Sequence, residues 1–346
     1  MEAKFSSGAI SLINDVIEKA VVLEASDIHF EPGVNNLRVR YRIDGLLRSG
    51  ILIHRSMQAQ VISRIKVMSG LDISEQRLPQ DGRAFIKIGD REFDLRVSTI
   101  PVIHGEKAVL RLLDRGKTAL PIEDLGMPAK ELDLYKQAIS KPQGMIVVCG
   151  PTGCGKTTTL YSSLQKINND DRNILTVEDP VEYQLTGINQ IQVNIKTGLT
   201  FAMGLRGILR QDPDVIMVGE IRDMETASIA IKAAMTGHLV FSTLHTNDAV
   251  GAALRLRDMG VEDYLIKDTL NCIVSQRLVR KFCPNCKGSG CKACNQAGYK
   301  GQVGIFEMLD PAARSKSLRS LSDNAEFLIE QGITSREEVL RNISSA

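Results

Sequence analysis

The stretch Gly150-Pro151-Thr152-Gly153-Cys154-Gly155-Lys156-Thr157 constrains this chain more than any other. It matches the pattern GxxxxGK[ST], with Thr158 directly after it. It lies between a continuous apolar run, MIVVCG (Met145–Gly150), and a helical stretch, TTLYSSLQKI. Glycines at these spacings let successive backbone N–H groups turn toward one anion, and the helix N-terminus adds its partial positive charge. A lysine at the end of such a loop reaches β and γ phosphates, and the hydroxyl after it suits Mg²⁺. Lys156 and Thr157 are therefore candidate ATP and Mg²⁺ residues. The loop needs a buried strand before it and a helix after it, which commits this part of the chain to an α/β architecture.

Further apolar runs fit that architecture. ILTVEDP (Ile174–Pro180), DVIMVGE (Asp214–Glu220) and HLVFSTL (His238–Leu244) read as buried parallel strands separated by helical stretches. Ligands of such sheets bind beyond the carboxyl ends of the strands, so the residues that end these runs are candidates for chemistry. Glu220 ends one run, where a carboxylate orients an attacking water or supports the metal shell. Glu178, Asp179 and Glu182 form an acidic cluster after another. His238 and His245 flank a third, where a histidine is as readily a packed strand residue as a functional one. The segment after about residue 251 is expected to be mainly helical, interrupted by cysteines.

The first part of the chain follows a different rhythm. A helix is expected from the spacing of Ile10, Ile13, Ile17, Ala20 and Val21, capped by Ser6 or Ser7. LRVRYRIDG alternates apolar and charged residues and ends in the turn signal Asp44-Gly45. A second helix is expected over 56–69. Alternation returns in Arg83–Ile88, Glu92–Ser98 and Lys107–Leu113, as for a sheet with one exposed face. The expected division is a small α+β domain over 1–113, a linker over 114–128 rich in Pro, Gly and charge, and an ATPase domain over 129–346.

Cys283-Pro-Asn-Cys286 and Cys291-Lys-Ala-Cys294 form CxxC-x4-CxxC, a pattern able to place four thiolates around one structural Zn²⁺. Cys149 and Cys272, like Cys154, read as packing residues. The formal net charge of +2 and an aromatic content of 4% without tryptophan argue against a nucleic-acid channel. No apolar run has the length of a membrane span, and the first twenty residues lack the apolar block of a secretory signal.

GPTGCGKTTTLYSSL, LTVEDPVEY and the run from GLTFAMGLRGILRQDPDVIMVGE to TGHLVFSTLHTNDA resemble the type II secretion and type IV pilus assembly ATPases. So do ASDIHFEP, RLPQDGR, VSTIPVIHGEKAVLRLLD and the cysteine cluster followed by GYKGQVGIFEML. The resemblance spans roughly residues 8–310. It implies a RecA-like P-loop domain with a zinc lobe over 282–301 and a helical C-terminal region, preceded by a PAS-like α+β domain. It implies a homo-hexamer peripheral to the cytoplasmic face of the inner membrane. There it would act on a platform protein and other secretion or pilus components, without direct nucleic-acid contact. The resemblance also assigns roles to residues. Glu220 is the catalytic glutamate, Glu178 an acidic-box residue and His245 a γ-phosphate sensor. Arg96 and Arg111 are arginine fingers. Longer members carry an additional amino-terminal domain, so the sequence is expected to be either a shortened form of such a member or a naturally short one. A pilus-retraction motor shares the core but generally lacks the four cysteines. A DNA translocase and a chaperone-like cysteine module are weaker readings.

Overall fold

The computed structural model describes residues 8–116, 119–309 and 319–343. The expected caps Ser6 and Ser7 lie outside them. The chain divides into two compact units between residues 117 and 118.

In the first unit, α1 (Ala9–Val22) precedes β1 (Asp27–Pro32), β2 (Asn36–Ile43) and β3 (Leu46–His54), then α2 (Gln58–Met68), β4 (Gln80–Ile88), β5 (Arg91–Val102) and β6 (Gly105–Asp114). The strands form one antiparallel sheet in the order β3-β2-β1-β6-β5-β4. Asp44 and Gly45 both take positive φ, as a two-residue turn between β2 and β3 requires. One sheet face buries Ile28, Phe30, Leu37, Val39, Leu95, Val97 and Leu110 against Leu12, Val16 and Ile17 of α1 and Val61 and Ile65 of α2. Strand alternation therefore turns Asp27, His29, Glu31, Arg40, Arg96 and Arg111 to the other face.

In the second unit, α3 (Ala129–Ile139) leads to β7 (Gly144–Cys149), α4 (Lys156–Ile167), β8 (Ile174–Glu178) and β9 (Asn189–Gln192). There follow α5 (Phe201–Ile208), β10 (Val215–Val218), α6 (Met224–Met235), β11 (Leu239–Leu244), α7 (Ala249–Asp258) and α8 (Asp263–Thr269). The chain then runs through β12 (Leu270–Phe282), β13 (Tyr299–Leu309), α9 (Leu321–Glu330) and α10 (Arg336–Ile343). The sheet order is β13-β12-β7-β11-β10-β8-β9, parallel except for β13. Helices cover both faces. Tyr135, Leu160 and Leu164 pack on one, and Leu205, Ala230, Ile231 and Leu256 on the other. A parallel sheet covered in this way explains why its strands read as unbroken apolar runs.

Two expectations need correction. The region after 251 is helical through α7 and α8 and again in α9 and α10, but a strand hairpin interrupts it. Leu270–Phe282 is a buried strand paired in parallel with β7, and Tyr299–Leu309 returns antiparallel to it. Ile273, Val274 and Val279 are fully buried and most of the first strand is enclosed on both faces, so it lacks the period-two alternation that marks a half-exposed strand. The later half of the expected linker is also not a tether. Ile122, Leu125 and Met127 are buried in the core beneath α3 and α4.

Candidate active site

The parallel strands end in register, and the candidate residues follow from that. Cys149 of β7 pairs with Leu244 of β11 and with Ser275 of β12, while Val218 of β10 pairs with Ser242 and Val177. Gly150, His245, Glu220 and Glu178 thus lie along one carboxyl edge. Between β7 and α4 the chain makes a glycine turn. Gly150 has φ 146° and Gly155 φ 92°. A Cβ on Gly150 would stand 2.6 Å from the Cys154 Sγ and from the Gln276 carbonyl oxygen, and one on Gly155 2.7 Å from the Gln276 side chain. Both positions therefore exclude any larger residue on two grounds, conformation and space. Lys156 opens α4 and is only 8% exposed. Its ammonium donates to the carbonyl oxygens of Gly150 (2.7 Å) and Pro151 (3.1 Å). Burial lowers its pKa, partly opposed by the nearby Glu220 carboxylate. Pro151, Thr152 and Gly153 are exposed along the loop, Cys154 is buried beneath it, and Thr157 is exposed at the start of the helix, with Thr158 half-buried.

Glu220 and His245 meet beside this loop. The Glu220 carboxylate receives Arg222 at 2.6 Å, and its other oxygen lies 3.4 Å from His245 Nε2. Burial and the Lys156 charge lower the His245 pKa, which favours the neutral ring. Glu220, His245, Arg222 and Arg255 line a cavity of about 420 Å³. Arg222 escaped the sequence reading; two residues beyond Glu220, its only signal is proximity.

Glu178 is placed differently. It is 3% exposed and accepts hydrogen bonds from Thr176 (2.6 Å), Gln190 (3.1 Å) and the Tyr161 hydroxyl. Burial raises its pKa against those donors. Both oxygens are thus engaged beneath α4. Tyr161 and Gln190 carried no sequence signal, because only tertiary register brings them to Glu178. His238 lies at the opposite end of β11, where its Nδ1 meets the Ala233 carbonyl at 2.9 Å, an ordinary structural contact.

In the first unit, Arg96 and Arg111 are cross-strand partners on the charged sheet face. Arg111 Nε donates to the buried Asp27 at 3.0 Å. On the same face Arg40 makes two bonds to Glu31, which hold that carboxylate at about 2 despite its burial.

The four cysteines converge. Their sulfurs all lie within 4.8 Å of one another, with separations of 3.7–3.8 Å for Cys283–Cys291, Cys286–Cys294 and Cys291–Cys294. Tetrahedral Zn–S bonds of about 2.3 Å place sulfurs about 3.8 Å apart, and a disulfide would need about 2 Å. Backbone N–H groups of Cys291 and Gly298 donate to the Cys294 sulfur at 3.3 Å each, which favours its thiolate.

A glycine loop between a buried parallel strand and a helix, with a carboxylate and a histidine from neighbouring strand ends, defines a P-loop ATPase domain. The sequence model of the family described as type II/IV secretion system protein matches residues 2–345. The type II secretion system ATPase E of Vibrio cholerae is 47% identical across 99% of this chain and 76% of its own length. HxcR, a type II secretion system protein of Pseudomonas aeruginosa, is also 47% identical, across 99% and 78%. The structure of the pilus retraction motor PilT with bound ADP matches with a TM-score of 0.66 and 28% identity, covering 95% of this chain and 96% of that one. The ATPase DotB of Legionella pneumophila shares the fold, with a TM-score of 0.77 at 24% identity over 98% and 96% of the chains. This chain belongs to the type II/IV secretion family and is one of its motor ATPases. Among the described residues no helix is long and apolar enough to cross a membrane.

Proposed function

We propose that this chain hydrolyses ATP to drive assembly of a type II secretion pseudopilus or a type IV pilus. It would act as a homo-hexamer at the cytoplasmic face of the inner membrane, where it moves a platform protein. The observation that carries the reading is the meeting of Lys156, Glu220 and His245 at one sheet edge, together with 47% identity to secretion ATPases. Residues 150–158 would hold the phosphates, with Lys156 leaving its two loop carbonyls for the β and γ phosphates and Thr157 ligating Mg²⁺. Glu220 would orient the attacking water, and neutral His245 would report the γ-phosphate. Arg96 and Arg111 would neutralise charge in the transition state, with Asp27 fixing the Arg111 fork. Glu178 would act as the acidic-box residue by fixing the Tyr161 side of α4. The cysteine cluster would hold one structural Zn²⁺, since four thiolates leave no open ligand position.

The direct experiment measures ATP turnover of the full chain alone, with a cytoplasmic fragment of a platform protein, and with DNA. Stimulation by the fragment alone is expected. Stimulation by DNA alone would replace this reading with that of a translocase.

A further inference from the structure

Behind the phosphate loop runs β12, and two of its residues form the loop's rear wall. Ser275 is the register partner of Cys149, so Gln276 and Arg277 come level with Gly150. The Gln276 side chain accepts from Thr159 of α4 at 2.6 Å and closes the space behind Gly155. Arg277 is 3% exposed. One of its Nη atoms donates to the Gln276 carbonyl at 3.0 Å, and the other to the Asn247 carbonyl at 2.7 Å. A Cβ on Gly150 would lie 3.3 Å from the first of these nitrogens, so the guanidinium rests against the opening residue of the loop. Among the described residues it makes no ion pair with a carboxylate. Its charge reaches the site, for it adds to burial in lowering the pKa of Lys156 and opposes burial at Cys154.

A guanidinium removed from water is costly unless its charge is met. Two carbonyl dipoles meet it in part. Among ligands of this site, the group with the matching charge is the anionic phosphate chain. The same guanidinium bonds the carbonyl two residues after His245, so it ties the phosphate loop to the loop that carries the histidine.

We propose that Arg277 is a positioning residue of the nucleotide site: a buried cation behind Gly150 that favours the triphosphate over the diphosphate and couples the His245 loop to the phosphate loop. This rests on the reading of 150–158 as the phosphate site.

The test uses the full chain, with affinities for a non-hydrolysable ATP analogue and for ADP measured by calorimetry, alongside melting curves. Arg277→Gln should weaken the triphosphate analogue by about 10-fold or more and ADP by clearly less, the scale of losing a charge-assisted contact. Arg277→Lys should recover most of the triphosphate preference, because it keeps the charge. A folded Arg277→Gln protein with both affinities within about twofold of wild type would overturn the proposal. So would an equal loss of both ligands that Lys fails to repair, which marks a purely structural clamp. Should the Gln variant not fold, the Lys variant decides: a kept preference supports the charge role, and a lost one overturns it. Failure of the wild type to bind either nucleotide would instead sink the phosphate-site reading itself.

Discussion

Glu220 sits between a cation and an imidazole, and that placement sets how its loss should register. Its carboxylate has one oxygen on Arg222 and the other near His245. Glu220→Gln keeps the shape and removes the charge, so ATP should still bind while turnover falls by about 10²-fold or more. Lys156→Ala should instead abolish productive phosphate binding. Single-turnover kinetics beside equilibrium binding separate the two outcomes, and turnover of the Gln variant within about twofold of wild type would exclude Glu220 as the water-orienting group. His29 makes a second residue-scale case. Both of its ring nitrogens are buried without a hydrogen-bond partner, and burial, then Lys107 and Arg42, lower its pKa against the opposing Asp27 and Glu31. The unfolded chain therefore takes up a proton below the ordinary value of 6.5 that the folded chain resists, so stability falls as pH drops through that region. His29→Gln should flatten this dependence by up to about 1.4 kcal/mol per pH unit in parallel denaturant titrations. The residues legible in sequence were those whose neighbours in the chain announce them, namely the glycine loop, the strand-ending Glu220 and the paired CxxC. Tyr161, Gln190, Arg222 and Gln276 were not, because their partners are chosen by strand register.

At the scale of elements, the hardest part to read was the hairpin of β12 and β13. LNCIVSQRLVRKF is buried along most of its length, so it lacks the alternation that revealed the strands of the first unit. β1, buried at four successive positions, was likewise missed, and so were β3 and the short β9. The runs of β7, β8, β10 and β11 were legible because each is followed by a turn or a polar site residue. The hairpin is braced by α10. Glu338 is nearly inaccessible and receives Arg280 and Arg341, each at 2.6 Å. Burial alone would raise its pKa, but the two guanidinium groups hold it at about 2. The bridge therefore stabilises the fold above the ordinary value of 4.5, and this contribution is lost as pH falls toward 2. Glu338→Ala should cost about 3 kcal/mol at neutral pH by leaving the largely enclosed Arg280 without its carboxylate, and should weaken the acid dependence of unfolding. A calorimetric melt within about 0.5 kcal/mol of wild type would show that α10 is not braced through this pair.

For the whole molecule, the metal prediction and the architecture meet. Elemental analysis should find one zinc per chain, bound by Cys283, Cys286, Cys291 and Cys294. Chelation, or Cys286→Ser, should loosen the lobe, seen as faster amide exchange over 283–298, while nucleotide affinity stays within about threefold. An ordered lobe without zinc would show that packing holds it. The division into two units lies within the span read as a linker from its prolines and glycines, yet the burial of Ile122 and Leu125 shows that such composition marks a break in pattern rather than a free tether. One strand gives the second unit a mechanical character. From Arg277 behind the phosphate loop to Cys283 is six residue steps, about 20 Å of continuous backbone, running from just past the β7 pairing, which ends at Ser275, to the four cysteines. Such a strand is a strut: paired with β13 along its length and packed on α9 and α10, it joins the phosphate loop to the cysteine lobe by one unbroken backbone. The pairing slips between Arg280 and Phe282, and a bulge there bends a strand. The strand therefore bends at Lys281, just before the cysteine lobe, while the Arg280–Glu338 bridge fastens its outer half to α10.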